Sequence, residues 1–405
     1  MKKYGVICSD PEEQRKAIID LDKKRSNVKS KSLSITILPT FLCNCRCEYC
    51  FEPREKKNGS NVISNKLAAK IVEFVKKSIT EQGIKSLKVI WYGGEPLICI
   101  DKIIVIQKEL NDICLLHNVK CENSMVTNGL LLTKTNIEKL LNVKINQVQI
   151  TFDGSEKIHN QRRYFPSNPE DNYNILVNNI KESDENLTFN IRINVDSNNL
   201  ENIHQLIKDL ENKGIWPYKK NIKSIYLGDL IQGRDSTGIA FLSREQFLLI
   251  QEEFRQWLVM EYNSIFPDKP AKLAFRYPSQ TKDYACAYGN INSNSWIIDH
   301  MGNLYRCWEA VGYDDLTIGT IDDLLNNSDS KFEDKLSSFT NLEAKREKAN
   351  CSTCKYLPIC GTGCPFEFII ENVPQERFCT EWKYILEKRL LFQYNFKRKH
   401  PEWVK

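Results

Sequence analysis

No run in this chain approaches the ~20 consecutive apolar residues that a membrane span needs. The N-terminus, MKKYGVICSDPEEQRK, lacks the apolar core of a secretory signal peptide. Internal repeats and low-complexity tracts are absent too, so neither a stacked-repeat array nor a disordered tract is indicated. Positive charge is not concentrated: the net charge is +5, and the longest basic clusters, KKR at 23–25 and KRK at 397–399, are short. They read as solvated surface rather than as a nucleic-acid footprint. These absences point to a cytoplasmic protein with no membrane and no nucleic-acid partner. A reducing cytosol also disfavours a disulfide framework. What is present is ordinary for a globular chain: 405 residues, 41% hydrophobic and 27% charged. At ~150 residues per domain that length suits two or three domains.

Cysteine is the exception, with 15 residues. In a cytosolic enzyme that count points to metal or redox chemistry. Cys43, Cys45, Cys47 and Cys50 crowd one loop. Seven more lie between Cys286 and Cys379. Cys8, Cys99, Cys114 and Cys121 are scattered and read as small apolar residues.

Between residues 32 and 262 strand and helix alternate. Strands are expected at 32–38, 87–92, 119–127, 148–152, 187–195 and 222–228. Helices are expected at 65–82, 101–117, 133–141, 171–182, 199–213 and 243–262. Ser64 and Gly83 bracket the first helix, Gly214 stops the one before it, and Ser243 with Gln246 forms a capping box. Such alternation implies a parallel α/β sheet. Two strands are apolar on one face only. Leu187, Phe189, Ile191, Ile193 and Val195 alternate with Thr188, Asn190, Arg192 and Asn194, and Val148, Ile150 and Phe152 alternate with Gln149, Thr151 and Asp153. A strand covered by helices on both faces would be apolar throughout. The polar face must therefore meet water or a polar ligand, as in a curved partial barrel with a filled lumen. Six units are too few for a closed eight-stranded barrel. After 270 the rhythm stops, and 271–380 reads as a small cysteine-rich domain that needs bound metal as a staple. Residues 380–396 read as an amphipathic helix.

Cys43, Cys47 and Cys50 form C-x3-C-x2-C directly after the first strand, followed by Phe51. Three thiolates can hold three irons of a [4Fe–4S] cube and leave the fourth iron free for a small molecule; fully protein-bound clusters usually take four. Zinc would need a fourth ligand, and only Cys45 is local. With its trailing aromatic the motif resembles that of the radical S-adenosylmethionine (SAM) superfamily, and other segments fall in that family's order. Tyr92-Gly93-Gly94-Glu95-Pro96 follows the second strand, Thr127-Asn128-Gly129 the third, and Asp153-Gly154 with His159 and Arg162 the fourth. The resemblance covers about 35–240. It implies a TIM-like partial (β/α)6 barrel over 32–265, preceded by an extension at 1–31. It also implies SAM contacts from Tyr49, Gly93, Gly94, Glu95, Pro96, Thr127, Asn128, Asp153 and Arg192. The Gly-Gly backbone and Glu95 would take the methionine amino group, and Arg192 the carboxylate. Reductive cleavage of SAM would then yield a 5′-deoxyadenosyl radical that abstracts a substrate hydrogen.

The later cysteines, Cys286, Gly302-x4-Cys307, Cys351-x2-Cys354-x5-Cys360-x3-Cys364 and Cys379, resemble the SPASM extension of that superfamily over 271–380, with 381–405 as a helix and tail. By that resemblance Cys351, Cys354, Cys360 and Cys379 ligate an outer auxiliary [4Fe–4S] cluster, and Cys286, Cys307 and Cys364 an inner one, three clusters in all. The inner cluster is a ligand short. Asp283, Asp299 and His300 are local candidates, although a surface role is the plainer reading for each. SPASM enzymes modify peptides, installing thioether, carbon–carbon or carbon–oxygen crosslinks, or convert sulfatase residues to formylglycine. Enzymes of the second type carry Asp after the G-x4-C cysteine; this chain has Trp308, then Glu309. That departure favours a maturase of ribosomally made peptides. A thioether is the first guess, since an open iron binds a substrate thiolate well. The expected partners are a precursor peptide and a flavodoxin or ferredoxin reductant. Only 42 residues precede Cys43, so leader recognition is expected from a separate protein or from 1–30.

Overall fold

The computed structural model describes residues 30–52, 61–168, 171–230, 240–275, 294–326, 330–340, 347, 349–360, 363–364, 366–367 and 379–404, with isolated positions at 10, 12, 13, 16 and 20. Six parallel strands lie side by side in chain order: β1 (Ser32–Ile37), β2 (Ser86–Trp91), β3 (Lys120–Val126), β4 (Ile145–Phe152), β5 (Thr188–Val195) and β6 (Ile222–Asp229). The crossovers carry α1 (Asn65–Gln82), α2 (Ile100–Leu116), α3 (Lys134–Asn142), a short α4 (Glu156–Arg162), α5 (Asn172–Lys181) and α6 (Ile203–Asn212). This is the partial barrel that the alternation implies, and both ends of α1 form as expected. The Ser64 side chain accepts from the Leu67 N–H, and Gly83 terminates the helix in the left-handed region at φ 66°. Leu67, Ile71, Phe74, Val75 and Ile79 form its buried face. Each such aliphatic side chain contributes roughly 1.5–3 kcal/mol on burial.

The one-sided strands do what their pattern requires. Phe189, Ile191 and Ile193 are fully buried toward the helices. The opposite face points into the lumen, where its polar side chains bond one another. Tyr226 donates to Gln149 Oε1 at 2.5 Å, and Ser224 donates to Asn190 Oδ1 at 2.6 Å.

The cysteine-rich part holds structure that periodicity did not reveal. β7 (Asn294–Ile298) pairs in parallel with the outer edge of β1, and β8 (Asn303–Tyr305) and β9 (Gly319–Thr320) continue antiparallel, so the sheet has nine strands. A five-residue strand with three apolar side chains is too short to separate strand from helix by period, and its partner β1 is remote in sequence. The β7–β8 turn is tied by Asp299. Its carboxylate accepts from the N–H groups of Met301 and Asn303, the Asn303 amide and the Tyr305 hydroxyl. Gly302 sits at φ 92°, which this turn requires. Asp299 and His300 are therefore not surface residues: both are buried, and His300 meets the ring of Phe41 edge-on at 4.7 Å.

α7 (Arg244–Ile265) starts with the expected Ser243–Gln246 capping box. α8 (Glu381–Lys399) lies against it, joined by the buried pair Arg389–Glu252 at 3.4 Å.

Candidate active site

A cavity of 610 Å³ is lined by the cysteine loop, the turns after β2 and β3, the lumen faces of β4 and β5, and the residues after Cys307. Of the residues singled out in the sequence, it brings together Cys43, Cys47, Cys50, Tyr49, Gly93, Gly94, Thr127, Asn128 and Arg192. Glu95, Pro96 and Asp153 lie behind its wall, buried.

The cysteine loop is pinned from both sides. Residues Arg46–Cys47 pair antiparallel with Arg163–Tyr164. Arg163 donates to the Tyr49 oxygen at 2.6 Å, and Tyr49 donates to Asp153 Oδ2 at 2.6 Å. Tyr49 and Asp153 thus form a chain behind the loop, closed by an arginine that sequence reading did not single out. Its neighbour Arg162, which was singled out, bonds Asp196 at 2.9 Å instead. His159 is fully buried between Phe152 and Tyr173, and burial lowers its pKa to about 3, so it stays neutral.

On the other side Gly93 and Gly94 press against the backbone that leads into the loop. A Cβ on Gly94 would stand 2.4 Å from the Leu42 carbonyl oxygen, and one on Gly93 2.5 Å from that of Thr40. That closeness lets the Gly94 and Glu95 N–H groups donate to Thr40 and Leu42. The Glu95 carboxylate is fully engaged: it accepts from Thr127 Oγ1 at 2.8 Å, the Asn128 N–H at 2.8 Å and the Leu97 N–H at 3.0 Å. It holds the Thr127-Asn128-Gly129 turn in place. Burial pushes its carboxyl up to about 7 against the opposing pull of those donors. Asn128 in turn donates to Asn44 Oδ1 at 2.6 Å and reaches Cys43 Sγ at 3.9 Å. The Cys43 thiol is drawn down by the hydrogen bond from Cys45 and by the charge of Arg163, against burial.

Arg192 enters from β5. Its Nε donates to Asn194 Oδ1 at 2.7 Å and its Nη2 to the Asp229 carbonyl at 3.0 Å. The guanidinium passes directly over Gly228, where a Cβ would lie 2.2 Å from Nε.

Two further cavity residues, Glu52 and Arg163, escaped sequence reading, and Tyr92 was quoted there without a role. Glu52 is buried beside Tyr92, and burial and the nearby Cys43 push its carboxyl up to about 8 against the opposing pull of the Tyr92 hydroxyl. Tyr92, whose ring lies 4.3 Å from that of Trp308 at a tilt of 38°, and Arg163 complete the set. The only sequence signal for Glu52 was its place two residues after Cys50.

The C-terminal cysteines occupy two places. Cys307 and Cys364 are half-buried and pack against the main core. Cys360 and Cys379 flank the start of α8, where Thr380 donates to Cys360 Sγ at 3.3 Å and Lys383 to Cys379 Sγ at 3.4 Å. Cys351 and Cys354 lie close enough to act on the same lysine. Cys286 and Asp283 fall outside the described residues.

The six-stranded partial barrel carries its three-cysteine loop at the C-terminal end of its first strand, the arrangement that the sequence resemblance implies. Residues 37–215 match the Radical SAM superfamily. Residues 37–215 of the chain thus form a radical SAM domain. Among curated relatives, the probable GTP 3′,8-cyclase of Archaeoglobus fulgidus is 34% identical over 120 residues, 30% of this chain and only 35% of that protein's length. The cysteine-type anaerobic sulfatase-maturating enzyme of Clostridium perfringens is 22% identical over 82% of this chain and 88% of its own length. Among solved structures, anSMEcpe with bound AdoMet and Cp18Cys peptide aligns with TM-score 0.62 at 19% identity, covering 90% of this chain and all of that one. Streptococcus suis SuiB bound to precursor peptide SuiA aligns with TM-score 0.57 at 16% identity, covering 91% and 79%. These likenesses establish the fold. No helix among the described residues is long and apolar enough to cross a membrane.

Proposed function

We propose that this enzyme modifies a ribosomally made peptide, abstracting a hydrogen and installing a thioether, carbon–carbon or carbon–oxygen crosslink. The observation that carries the reading is the single cavity shared by the three-cysteine loop, Arg192 and the Trp308–Glu309 segment beyond Cys307. The donor set suits the cofactor: three thiols on one loop, one of them drawn toward the thiolate, are soft ligands for iron.

Cys43, Cys47 and Cys50 hold the SAM-binding [4Fe–4S] cluster. SAM bound there supplies the 5′-deoxyadenosyl radical. Arg192, oriented by Asn194 and the Asp229 carbonyl, pairs with the methionine carboxylate. Thr127, Asn128 and the Gly93–Gly94 backbone, braced by Glu95, line the cofactor side, and Tyr49 is held by Asp153 and Arg163. The tilted Tyr92 and Trp308 rings, in contact with each other, wall the cavity and restrict water beside a reactive intermediate. Cys307 and Cys364, with Cys286, hold the inner auxiliary cluster, and Cys351, Cys354, Cys360 and Cys379 the outer one. The substrate is a precursor peptide, with a flavodoxin or ferredoxin as reductant and a separate protein binding the leader.

A second reading is formylglycine formation, favoured by the Clostridium perfringens relative matched over 88% of its length. Against it stands Trp308, a residue with no acid–base chemistry at the position after Cys307. Mass spectrometry separates the two. Reconstituted enzyme, SAM and dithionite are incubated anaerobically with a precursor peptide encoded beside the gene and, in parallel, with a sulfatase peptide. The expected product is the precursor peptide lighter by two hydrogens per bond. An unchanged precursor beside a sulfatase peptide whose thiol has been exchanged for an aldehyde oxygen establishes the second reading instead.

A further inference from the structure

The start of α8 gathers positive polarity around sulfur. Thr380, the residue preceding the helix, donates its hydroxyl to Cys360 Sγ at 3.3 Å. One turn on, the Lys383 ammonium donates to Cys379 Sγ at 3.4 Å, and its charge also acts on Cys354 and Cys351. The first-turn amides of a 19-residue helix add the positive end of its dipole. Glu381, the acidic residue of that turn, is occupied by Arg389, whose Nη2 lies 2.9 Å from its Oε2. One lysine therefore faces three of the four thiols assigned to one centre, with a hydroxyl on the fourth.

We propose that Lys383 raises the reduction potential of the outer auxiliary cluster. The inference rests on the reading that Cys351, Cys354, Cys360 and Cys379 ligate that cluster. Four thiolates give such a centre negative charge, and reduction adds one more electron. A cation hydrogen-bonded to a ligand sulfur stabilises the reduced form more than the oxidised one, and hydrogen bonds to sulfur are among the levers that set cluster potentials. Lys383 is half-buried, so solvent screens the effect without cancelling it. It acts through the cysteines and touches no substrate, which makes it a tuning and positioning residue. The plain alternative is a surface lysine that happens to lie near thiols.

The test is an EPR-monitored potentiometric titration of anaerobically reconstituted wild type, Lys383→Arg and Lys383→Gln. Lys383→Gln is expected to move one midpoint potential to a more negative value at unchanged iron content. The signal that responds to added SAM should stay where it is, and Lys383→Arg should restore most of the shift. Identical potentials in Lys383→Gln and wild type at equal iron content overturn the proposal. So does a loss of iron in Lys383→Gln that Lys383→Arg does not repair. Failure of the underlying reading shows separately: a Cys351→Ala/Cys354→Ala protein would then hold as much iron as wild type.

Discussion

Arg192 reaches the cavity only because residue 228 has no side chain. A Cβ there would stand 2.2 Å from Nε and 2.6 Å from Cζ of the guanidinium. Gly228 lies in β6 and needs no unusual backbone angle, so its value is space, not conformational freedom. Gly228→Ala is therefore expected to displace Arg192 while leaving the sheet paired. If Arg192 holds the SAM carboxylate, SAM affinity should fall at least tenfold, about 1.4 kcal/mol. Arg192→Lys should lose a similar amount, because an ammonium cannot make the bidentate pair. Equilibrium dialysis measures this, with the thermal unfolding profile as the control for folding. Wild-type SAM affinity in Gly228→Ala would remove Arg192 from the carboxylate site. Arg192 itself was legible, since strict alternation put it on the polar face of its strand. Gly228, Arg163 and Glu52 were not. Each matters because of a partner on another element, and no local pattern encodes such a meeting.

At the scale of elements, the most exacting contact joins the last helix to the barrel. Glu252 on α7 and Arg389 on α8 are both 1% exposed, with Arg255 and Glu381 completing the network. Removing one partner of such a pair leaves a buried charge, whereas replacing both by apolar groups is often neutral. Arg389→Ala should accordingly destabilise the protein by about 3–5 kcal/mol. The double change Glu252→Met/Arg389→Leu should recover most of that loss in urea unfolding of the purified enzyme. Equal destabilisation by the single and double changes would show that the helix docks through its apolar side alone. This helix, the barrel strands and the barrel's long helices were legible because each carries its own period and caps, as Ser64, Gly83 and the Ser243–Gln246 box show. The short α4 and the β7–β8 hairpin were not, because seven residues of helix and five of strand are too few to display a period.

One sheet runs through both the barrel and the cysteine-rich region, and this decides how the cysteine groups relate. β7, from the cysteine-rich region, is hydrogen-bonded along β1, the strand that leads into the three-cysteine loop. Cys307 follows β8, the next strand out, and the ring of the residue after it lies against Tyr92 at the end of β2. The segment after Cys307 is thus built into the cavity wall, while Cys379 and its neighbours sit at the far helix. The family resemblance of the cysteine series implied such a division; the sheet that connects the regions was not legible, since it pairs residues far apart in the chain. Three separate ligand sets should behave separately. Anaerobic reconstitution is expected to give about 12 iron and 12 sulfide per chain. The triple change Cys43→Ala/Cys47→Ala/Cys50→Ala should leave roughly eight of each, because the C-terminal ligands are untouched. It should also release no 5′-deoxyadenosine under dithionite, since nothing then holds SAM against a reducible iron. Stoichiometric zinc in place of the eight would reassign the C-terminal cysteines to a structural role. Continued release of 5′-deoxyadenosine from the triple variant would move the SAM site off this loop altogether.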